Sequence, residues 1–301
     1  MNQGWITLIF FLSGLPVVFA GHPCNQVRMA DVGWTDISAS NALASELLSQ
    51  AGYETKTVQL SLPVTFLSLK NRDVDVFLGN WMPSMQADIR PYSQEGSVET
   101  VGTLLKGAKF TLAVPQYVYQ AGVHSIDQLS QFSDRFGRKI YGIEPGNDGN
   151  THIQSLIDDT AFQLKGWKLV ASSEQAMLAE VTRAIQRKQW IVFLGWEPHP
   201  MNHKISITYL KGASQYFGPN QGESQVFINT RKNYLKECPN IANFLKHFSL
   251  NMKIETNLME MILDKGMDPK TAAKTWLKEH PQDHQKWMQL VQPALNTTGK
   301  S

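Results

Sequence analysis

The chain alternates between short apolar runs, which are typical of buried strands, and stretches whose apolar residues recur with the helical period. The predicted strands occupy residues 26–32, 55–60, 74–78, 110–114, 139–143, 168–171 and 191–194. The predicted helices occupy residues 38–51, 64–70, 126–132, a segment after Gly149, and 173–187. Strands that alternate with helices in this way predict an α/β protein with mainly parallel sheets that are covered by helices on both faces.

Capping residues mark two of the helix starts. Ser172 and Gln175 have the spacing of a capping box in front of the helix at 173–187. From about residue 254 the chain turns helical, and Asp268 followed by Pro269 predicts an N-cap with proline at the first helical position. The C-terminal part of the chain is therefore expected to be a helical layer.

Residues 6–20 form a long apolar run without charge. At about fifteen residues this run is too short for a comfortable membrane span, and Val18-Phe19-Ala20 offers small residues at the positions that a signal peptidase reads. Residues 1–20 are predicted to be a signal peptide cleaved near Ala20, although the first five residues contain no lysine or arginine. We therefore expect the mature protein to be periplasmic.

Composition and charge exclude some classes of protein. The chain has 301 residues, of which 42% are apolar and 18% charged, and such a chain can bury one large core or two smaller ones. Twenty-eight basic residues against 26 acidic ones give a formal charge of +2, without any block of like charge. A nucleic-acid-binding protein would normally carry a basic stripe, so we expect no nucleic-acid partner.

Two cysteines, Cys24 and Cys238, lie near the two ends of the mature chain. In an oxidising compartment the simplest interpretation is one disulfide, which would bring both ends of the chain into one domain. Two unpaired buried thiols remain the alternative. A lipid anchor on Cys24 is disfavoured because Gly21-His22-Pro23 is unlike the apolar segment that precedes such a cysteine.

Trp34, Trp81 and Trp196 each follow a predicted strand and a glycine. In open α/β sheets ligands bind beyond the carboxyl ends of the strands, so the repetition places three indoles where a ligand would lie. Any one of these tryptophans would also suit a core or interface position. Their common placement favours a binding site.

Three converging indoles suit a cation that cannot donate hydrogen bonds, because aromatic faces replace the weakly held water around a quaternary ammonium. Asp36 follows Trp34 by two residues and offers an acceptor and a counter-charge. Asn147, in the glycine-rich turn after the strand at 139–143, offers a donor and an acceptor to a ligand hydroxyl. That turn could equally be a helix cap or a phosphate-binding turn, although Glu144 and Asp148 argue against anions.

An enzyme is the alternative class. Two histidine pairs have the four-residue spacing of metal ligands, His199 with His203 and His280 with His284. A proline directly follows the first histidine of each pair, which disfavours a continuous helix, and no cysteine or carboxylate cluster completes a coordination set. The sequence also lacks the motifs of acyl, phosphoryl and hydride transfer. We therefore predict no enzymatic activity, no metal and no cofactor.

A family resemblance rests on nine segments that cover nearly all of the mature chain. These are VGWTD, SLPVTFLSLKN, DVFLGNWMP, KIYGIEPGNDGN, SSEQAMLAEV, IVFLGWEPHPMN, TYLKG, FGPN and ECPN. They resemble segments of the choline-binding proteins of bacterial ATP-binding-cassette (ABC) importers, within the glycine betaine and choline group of periplasmic binding proteins. The resemblance implies a type II fold with two α/β lobes, joined by two crossing segments, and a ligand in the cleft between them.

What the resemblance implies can be assigned by residue number. Lobe I would comprise residues 21–106 and 205–301, and lobe II residues 107–204. The aromatic box would be formed by Trp34, Trp81, Trp196 and Phe110, and close family members have tyrosine where Phe110 stands. Asp36 and Asn147 match the residues that hold the choline hydroxyl. The residues alone had indicated all of these site positions except Phe110.

The resemblance also implies a membrane permease as partner and a monomeric receptor. Glycine betaine and carnitine are the alternative ligands. Both carry a carboxylate, which an ionised Asp36 would repel, whereas the hydroxyl of choline can donate to it. The sequence therefore favours choline.

Overall fold

The computed structural model describes residues 24–293, so the predicted signal peptide and the polar tail lie outside the described residues. The strands are β1 (Gln26–Asp31), β2 (Glu54–Gln59), β3 (Val76–Met82), β4 (Val98–Pro115), β5 (Lys139–Tyr141), β6 (Lys168–Val170), β7 (Phe193–Glu197), β8 (Ile207–Tyr209) and β9 (Glu223–Arg231). Within 24–293 no helix has the length and apolar character that crossing a bilayer requires.

Fourteen α-helices occur among the described residues. They are α1 (Thr35–Gln50), α2 (Leu62–Lys70), α3 (Gln86–Gln94), α4 (Gln116–Gln120), α5 (Asp148–Asp158), α6 (Glu174–Gln186), α7 (Met201–Lys204), α8 (Ser214–Phe217), α9 (Pro219–Gly222), α10 (Tyr234–Glu237), α11 (Pro239–His247), α12 (Met252–Leu263), α13 (Pro269–Glu279) and α14 (Pro281–Met288). Two further segments, Ile126–Phe132 and Thr160–Phe162, are 3-10 helices, so the helix predicted at 126–132 has the tighter form.

The strands form one mixed sheet in the order β2-β1-β3-β9-β4-β7-β5-β6, with β8 paired to β4. β1 pairs in parallel with β2 and β3, and β5 pairs in parallel with β6 and β7. Every pairing made by β4 and β9 is antiparallel. Two parallel groups are thus joined through an antiparallel pair, in agreement with the two-lobed α/β fold that the family resemblance implies.

The expectation of mainly parallel sheets needs correction because it missed β9 and most of β4. The ladder between these strands changes register three times, between Thr100 and Gly102, Thr103 and Leu105, and Leu105 and Ala108. Such irregularities break the alternation of apolar and polar residues by which a strand is identified in a sequence.

Two predicted strands continue further than expected. β3 extends through Trp81 because this residue pairs with Val226 of β9, and β7 extends through Trp196 because it pairs with Phe110 of β4. Both tryptophans therefore lie within strands rather than in the loops that follow them. Pairing with a distant strand is not visible in local sequence, which explains the early ends of the predicted strands.

The helix starts agree with the prediction in one case and differ in the other. Asp268 caps α13, where its carboxylate accepts from the backbone N–H of Thr271 at 3.0 Å, as predicted. The cap of α6 is Ser173 rather than the predicted Ser172, because the hydroxyl of Ser173 accepts from the N–H of Ala176 at 3.1 Å. The helix itself is where the sequence placed it.

Cys24 and Cys238 form a disulfide, with their Cα atoms 5.3 Å apart. Cys24 precedes β1 and Cys238 precedes α11, and both are buried. The covalent bond holds the start of β1 against the beginning of α11, so the two ends of the described chain are close in space.

We expect non-reduced mature protein to contain no free thiol and to yield a Cys24–Cys238 peptide in mass spectrometry. Reduction should lower the melting temperature, because the bond closes a loop with a sequence separation of 214. For so long a loop the lost free energy of unfolding is nominally about 3–5 kcal/mol.

The melting temperature of a Cys24→Ser, Cys238→Ser double variant should not respond to reductant and serves as the control. Two cysteines that can be alkylated in the native, non-reduced protein would reject the pairing.

Candidate ligand-binding site

Four aromatic side chains converge at the junction of the two strand groups. Trp34 stands at the N-cap of α1, Trp81 in β3, Trp196 in β7 and Phe110 in β4. Phe110 and Trp196 are paired across β4 and β7, so their side chains share one face of the sheet. The rings of Trp81 and Phe110 lie with centroids 5.9 Å apart. The predicted tryptophans and the fourth wall therefore do come together.

These four rings line a small cavity at this junction. Its other lining residues are Asp36, Met85, Ile143 and Asp148. Each of the four aromatic residues is at most 6% exposed, so the walls are shielded from solvent. The lining contains two carboxylates and no lysine, arginine or histidine, which makes the cavity suitable for a cation rather than for an anion.

Asp36 lies in the first turn of α1, at 3% exposure. Its Oδ2 accepts a hydrogen bond from the indole Nε1 of Trp81 at 3.1 Å, and its Oδ1 is buried without a hydrogen-bond partner. Burial, together with the nearby charge of Glu174, raises the pKa of Asp36 to about 7. A cation in the cavity would stabilise the ionised carboxylate and lower this pKa again.

Asn147 does not line the cavity. Its Oδ1 accepts from the backbone N–H of Asn150 at 2.9 Å, which caps α5, and its Nδ2 donates to the carbonyl of Glu144. Asn147 instead lines a neighbouring pocket, which Trp34 also lines. The side chain thus acts as the helix cap that the sequence left open as an alternative, and its contact with a ligand hydroxyl stays a prediction.

Hydrogen bonds and ring contacts orient the indoles. The Nε1 of Trp34 donates to Oε2 of Glu144 at 3.0 Å. The ring of Trp196 packs edge-on against the imidazole of His199, with centroids 4.9 Å apart. Together with the bond from Trp81 to Asp36, these contacts leave each indole one defined orientation around the cavity.

Glu174, at the start of α6, holds the surrounding loops together and was not identified from the sequence. Its fully buried carboxylate accepts from the backbone N–H of Thr35 at 3.0 Å and from the Thr35 hydroxyl at 2.7 Å. It also contacts Nε2 of His199 at 3.2 Å, while the N–H of Glu174 donates to Glu144 at 2.9 Å. Glu174 therefore ties the residue between Trp34 and Asp36 to the segment that follows Trp196.

The histidine pairs have no metal-binding arrangement in the described part of the chain. His199 contacts Glu174, whereas Nδ1 of His280 donates to the carbonyl of Trp276 and the imidazole stacks on the Trp276 ring. No cluster of three or more histidine, cysteine or acidic residues within 24–293 could hold a metal ion.

Asp148 is the second carboxylate of the cavity lining. In the sequence it was noted only as an acidic residue that disfavours an anionic ligand. It opens α5 directly after the capping Asn147, and it is 2% exposed. Burial raises its pKa to about 6, against the opposing effect of a hydrogen bond from the Ser84 hydroxyl. Glycine at the next position lets the backbone approach the aromatic wall, because a Cβ on Gly149 would lie 2.7 Å from Cζ of Phe110 and would displace that ring.

Known proteins resemble this chain in sequence and in fold. The family model described as the substrate binding domain of an ABC-type glycine betaine transport system matches residues 25–279. A Chromohalobacter salexigens protein, Uncharacterized protein ORF1, is 50% identical over 150 residues, which cover 50% of this chain and 97% of that protein.

Two solved structures are also similar. An ABC-transporter choline binding protein in complex with choline has a TM-score of 0.88 at 49% identity, covering 90% of this chain and 93% of that one. Lactococcal OpuAC, closed on glycine betaine, has a TM-score of 0.79 at 29% identity, covering 87% of this chain and 99% of that one. Since the family model matches far more than half of the sequence, the chain belongs to the family of substrate binding domains of ABC-type glycine betaine transport systems.

Proposed function

We propose that this protein binds choline in the aromatic cavity and delivers it to the membrane permease of an ABC importer. The observation that carries the proposal is a buried cluster of four aromatic walls around a small cavity, which a carboxylate with one unpartnered oxygen, Asp36, also lines. The structure at 49% identity that contains choline supports the same ligand. Members of the family bind and deliver a solute, so no turnover of the ligand is expected.

The aromatic walls can supply enough free energy to bind a quaternary ammonium with micromolar affinity. Each aromatic face contributes on the order of 0.5–2 kcal/mol to binding a cation, and each buried methyl adds about 0.8 kcal/mol. After the costs of ordering and closure, several kcal/mol remain, which corresponds to a micromolar site at about −8 kcal/mol.

Charge favours choline over glycine betaine and carnitine. The two alternatives carry a carboxylate, for which the cavity lining offers no cationic side chain and two repelling carboxylates. The choline hydroxyl can instead donate to Oδ1 of Asp36, the oxygen that the protein leaves without a partner. The structure with glycine betaine is less similar to this chain, at 29% identity, than the structure with choline.

The proposal includes the periplasmic location, a monomeric receptor and the two lobes whose closure traps the ligand. The first segment that crosses from one lobe to the other would lie near residue 107, within β4. The second would lie nearer residue 222 than residue 204, because Ile207–Tyr209 pairs with the same end of β4 as β7 does.

Replacing any one of Trp34, Trp81 and Trp196 by alanine should weaken choline binding at least about tenfold, equivalent to about 1.4 kcal/mol, because one cation–π face and its buried area are lost. Isothermal titration calorimetry measures the affinity without relying on tryptophan fluorescence. Trp190→Ala is the matched control, since this indole contacts Phe132 and Phe136 away from the cavity and its loss should leave the affinity unchanged. Unchanged binding in two of the three cage variants would exclude the cage.

Asp36→Asn removes the charge at constant size and introduces an amide donor. It should weaken choline binding while weakening glycine betaine less, so the ratio of the two dissociation constants should narrow. Titrations of both ligands measure the ratio. Phe110→Tyr is the control, because it adds the family's hydroxyl without changing charge and should alter affinity more than selectivity. An unchanged ratio in Asp36→Asn would show that Asp36 does not select the ligand.

The affinity for choline should depend on pH through Asp36. Its raised pKa of about 7 means that the empty site binds a proton below neutrality, and this proton must leave before the carboxylate can serve a cation. From about pH 8.5 to about pH 6 the affinity should therefore fall about tenfold. In Asp36→Asn the same change of pH should have a much smaller effect. A wild-type affinity that stays constant over this range would contradict the assignment.

A further inference from the structure

Asp148 contributes a carboxylate to the cavity lining. Only one of the two oxygens of this carboxylate accepts a hydrogen bond from the protein. One oxygen, Oδ2, accepts from the hydroxyl of Ser84. The other, Oδ1, is buried and has no hydrogen-bond partner. A buried carboxylate oxygen without a partner costs free energy, so a donor or a positive charge is expected to reach it at some stage.

A purely structural role does not account for this carboxylate. The cap of α5 is already provided by the side chain of Asn147, so the helix does not need a second capping group. None of the groups that shift the pKa of Asp148 is a cation. His152, on the same helix, directs its Nε2 at the carbonyl of Ser84, and burial lowers the pKa of its imidazole.

The backbone at the start of α5 nevertheless favours the ionised form. The N–H groups of Asp148 and Gly149 lower the pKa of the carboxylate against the effect of burial, although neither makes a hydrogen bond to Oδ1. With a pKa of about 6, Asp148 carries its negative charge near neutral pH. Two carboxylates that line the cavity, those of Asp36 and Asp148, therefore each keep one buried oxygen without a hydrogen-bond partner.

Choline has only one hydrogen-bond donor, its hydroxyl. If Asp36 accepts from that hydroxyl, the oxygen of Asp148 is left for the cationic end of the ligand. Aromatic faces alone stabilise a quaternary ammonium, but a protonated tertiary amine has an N–H that needs a strong acceptor when water is removed. A carboxylate beside the aromatic walls provides that acceptor.

We propose that Asp148 is a second specificity-determining residue of this site, whose Oδ1 faces the ligand's ammonium and accepts an N–H where the ligand has one. The inference rests on the proposed function. It widens the ligand class from quaternary ammonium alcohols to protonated tertiary amino alcohols, for which N,N-dimethylaminoethanol is the probe.

The test is calorimetric titration of choline and of N,N-dimethylaminoethanol at about pH 8, where both carboxylates are largely ionised. In Asp148→Asn the affinity for N,N-dimethylaminoethanol should fall at least about tenfold, because a charge-assisted hydrogen bond is lost, while choline should lose only about threefold. The ratio of the two dissociation constants, rather than either constant alone, is the readout, since a general disturbance of the fold would not change it selectively.

Asp88→Asn is the matched control. Asp88 is a half-buried acid whose pKa is raised to about 6 by burial and by the charge of Asp148, but it does not line the cavity. Its replacement makes the same chemical change nearby and should leave the ratio unchanged. An equal change of ratio in Asp88→Asn and Asp148→Asn would overturn the proposal, because the effect would then be general electrostatics.

Ser84→Ala provides a second variant, which keeps the charge of Asp148 and removes the hydroxyl that orients it. A change of ratio in the same direction, smaller than in Asp148→Asn, is expected. If Asp148→Asn folds and the ratio of the two dissociation constants is unchanged, the proposal is overturned. If Asp148→Asn does not fold, an unchanged ratio in Ser84→Ala overturns the proposal instead. Failure of the wild type to bind choline would instead reject the proposed function.

Discussion

The binding site depends on burying acidic side chains without a permanent positive charge beside them. Glu174, Glu144, Asp36 and Asp148 are grouped in and around the cavity, and none forms an ion pair with a lysine or arginine among residues 24–293. Hydrogen-bond donors must therefore stabilise their charges. Glu174 and Glu144, which stand behind the walls, have several donors, whereas the two that line the cavity keep one oxygen unpartnered. Of these four carboxylates, the two with an unpartnered oxygen are therefore the two that line the cavity.

Local sequence was sufficient for those parts of the site that lie at recurring positions of the fold. The strand, glycine and tryptophan repetition predicted Trp34, Trp81 and Trp196, and Asp36 followed from its distance to the first of them. Phe110 could be assigned only by family resemblance, because its strand is long and irregular and its partner Trp196 is distant in sequence.

The residues that support the walls could not be predicted in this way. Glu174 looks in the sequence like an ordinary acid in the first turn of a helix, and only the fold brings it to Thr35 and His199. Asp148 gave a weak signal, since an acid after an N-cap normally serves the helix. Conversely, Asn147 offered a polar side chain at the right loop, but the local cap uses both of its polar atoms. For Glu174, hydrogen bonds between elements that are distant in sequence decide the role, and sequence spacing does not encode them.

The pairing of the aromatic walls has a consequence for how a ligand is captured. Phe110 and Trp196 are neighbours on β4 and β7, whereas Trp34 and Trp81 belong to the β1–β3 group on the far side of β9. Any movement that separates the two groups divides the box into two open halves, each with two aromatic faces. An arriving cation then meets half of the final contact surface, and the second half is added only by closure. In the proposed binding of a cation, the first encounter would therefore be weaker than the closed complex, and release would require the box to open again.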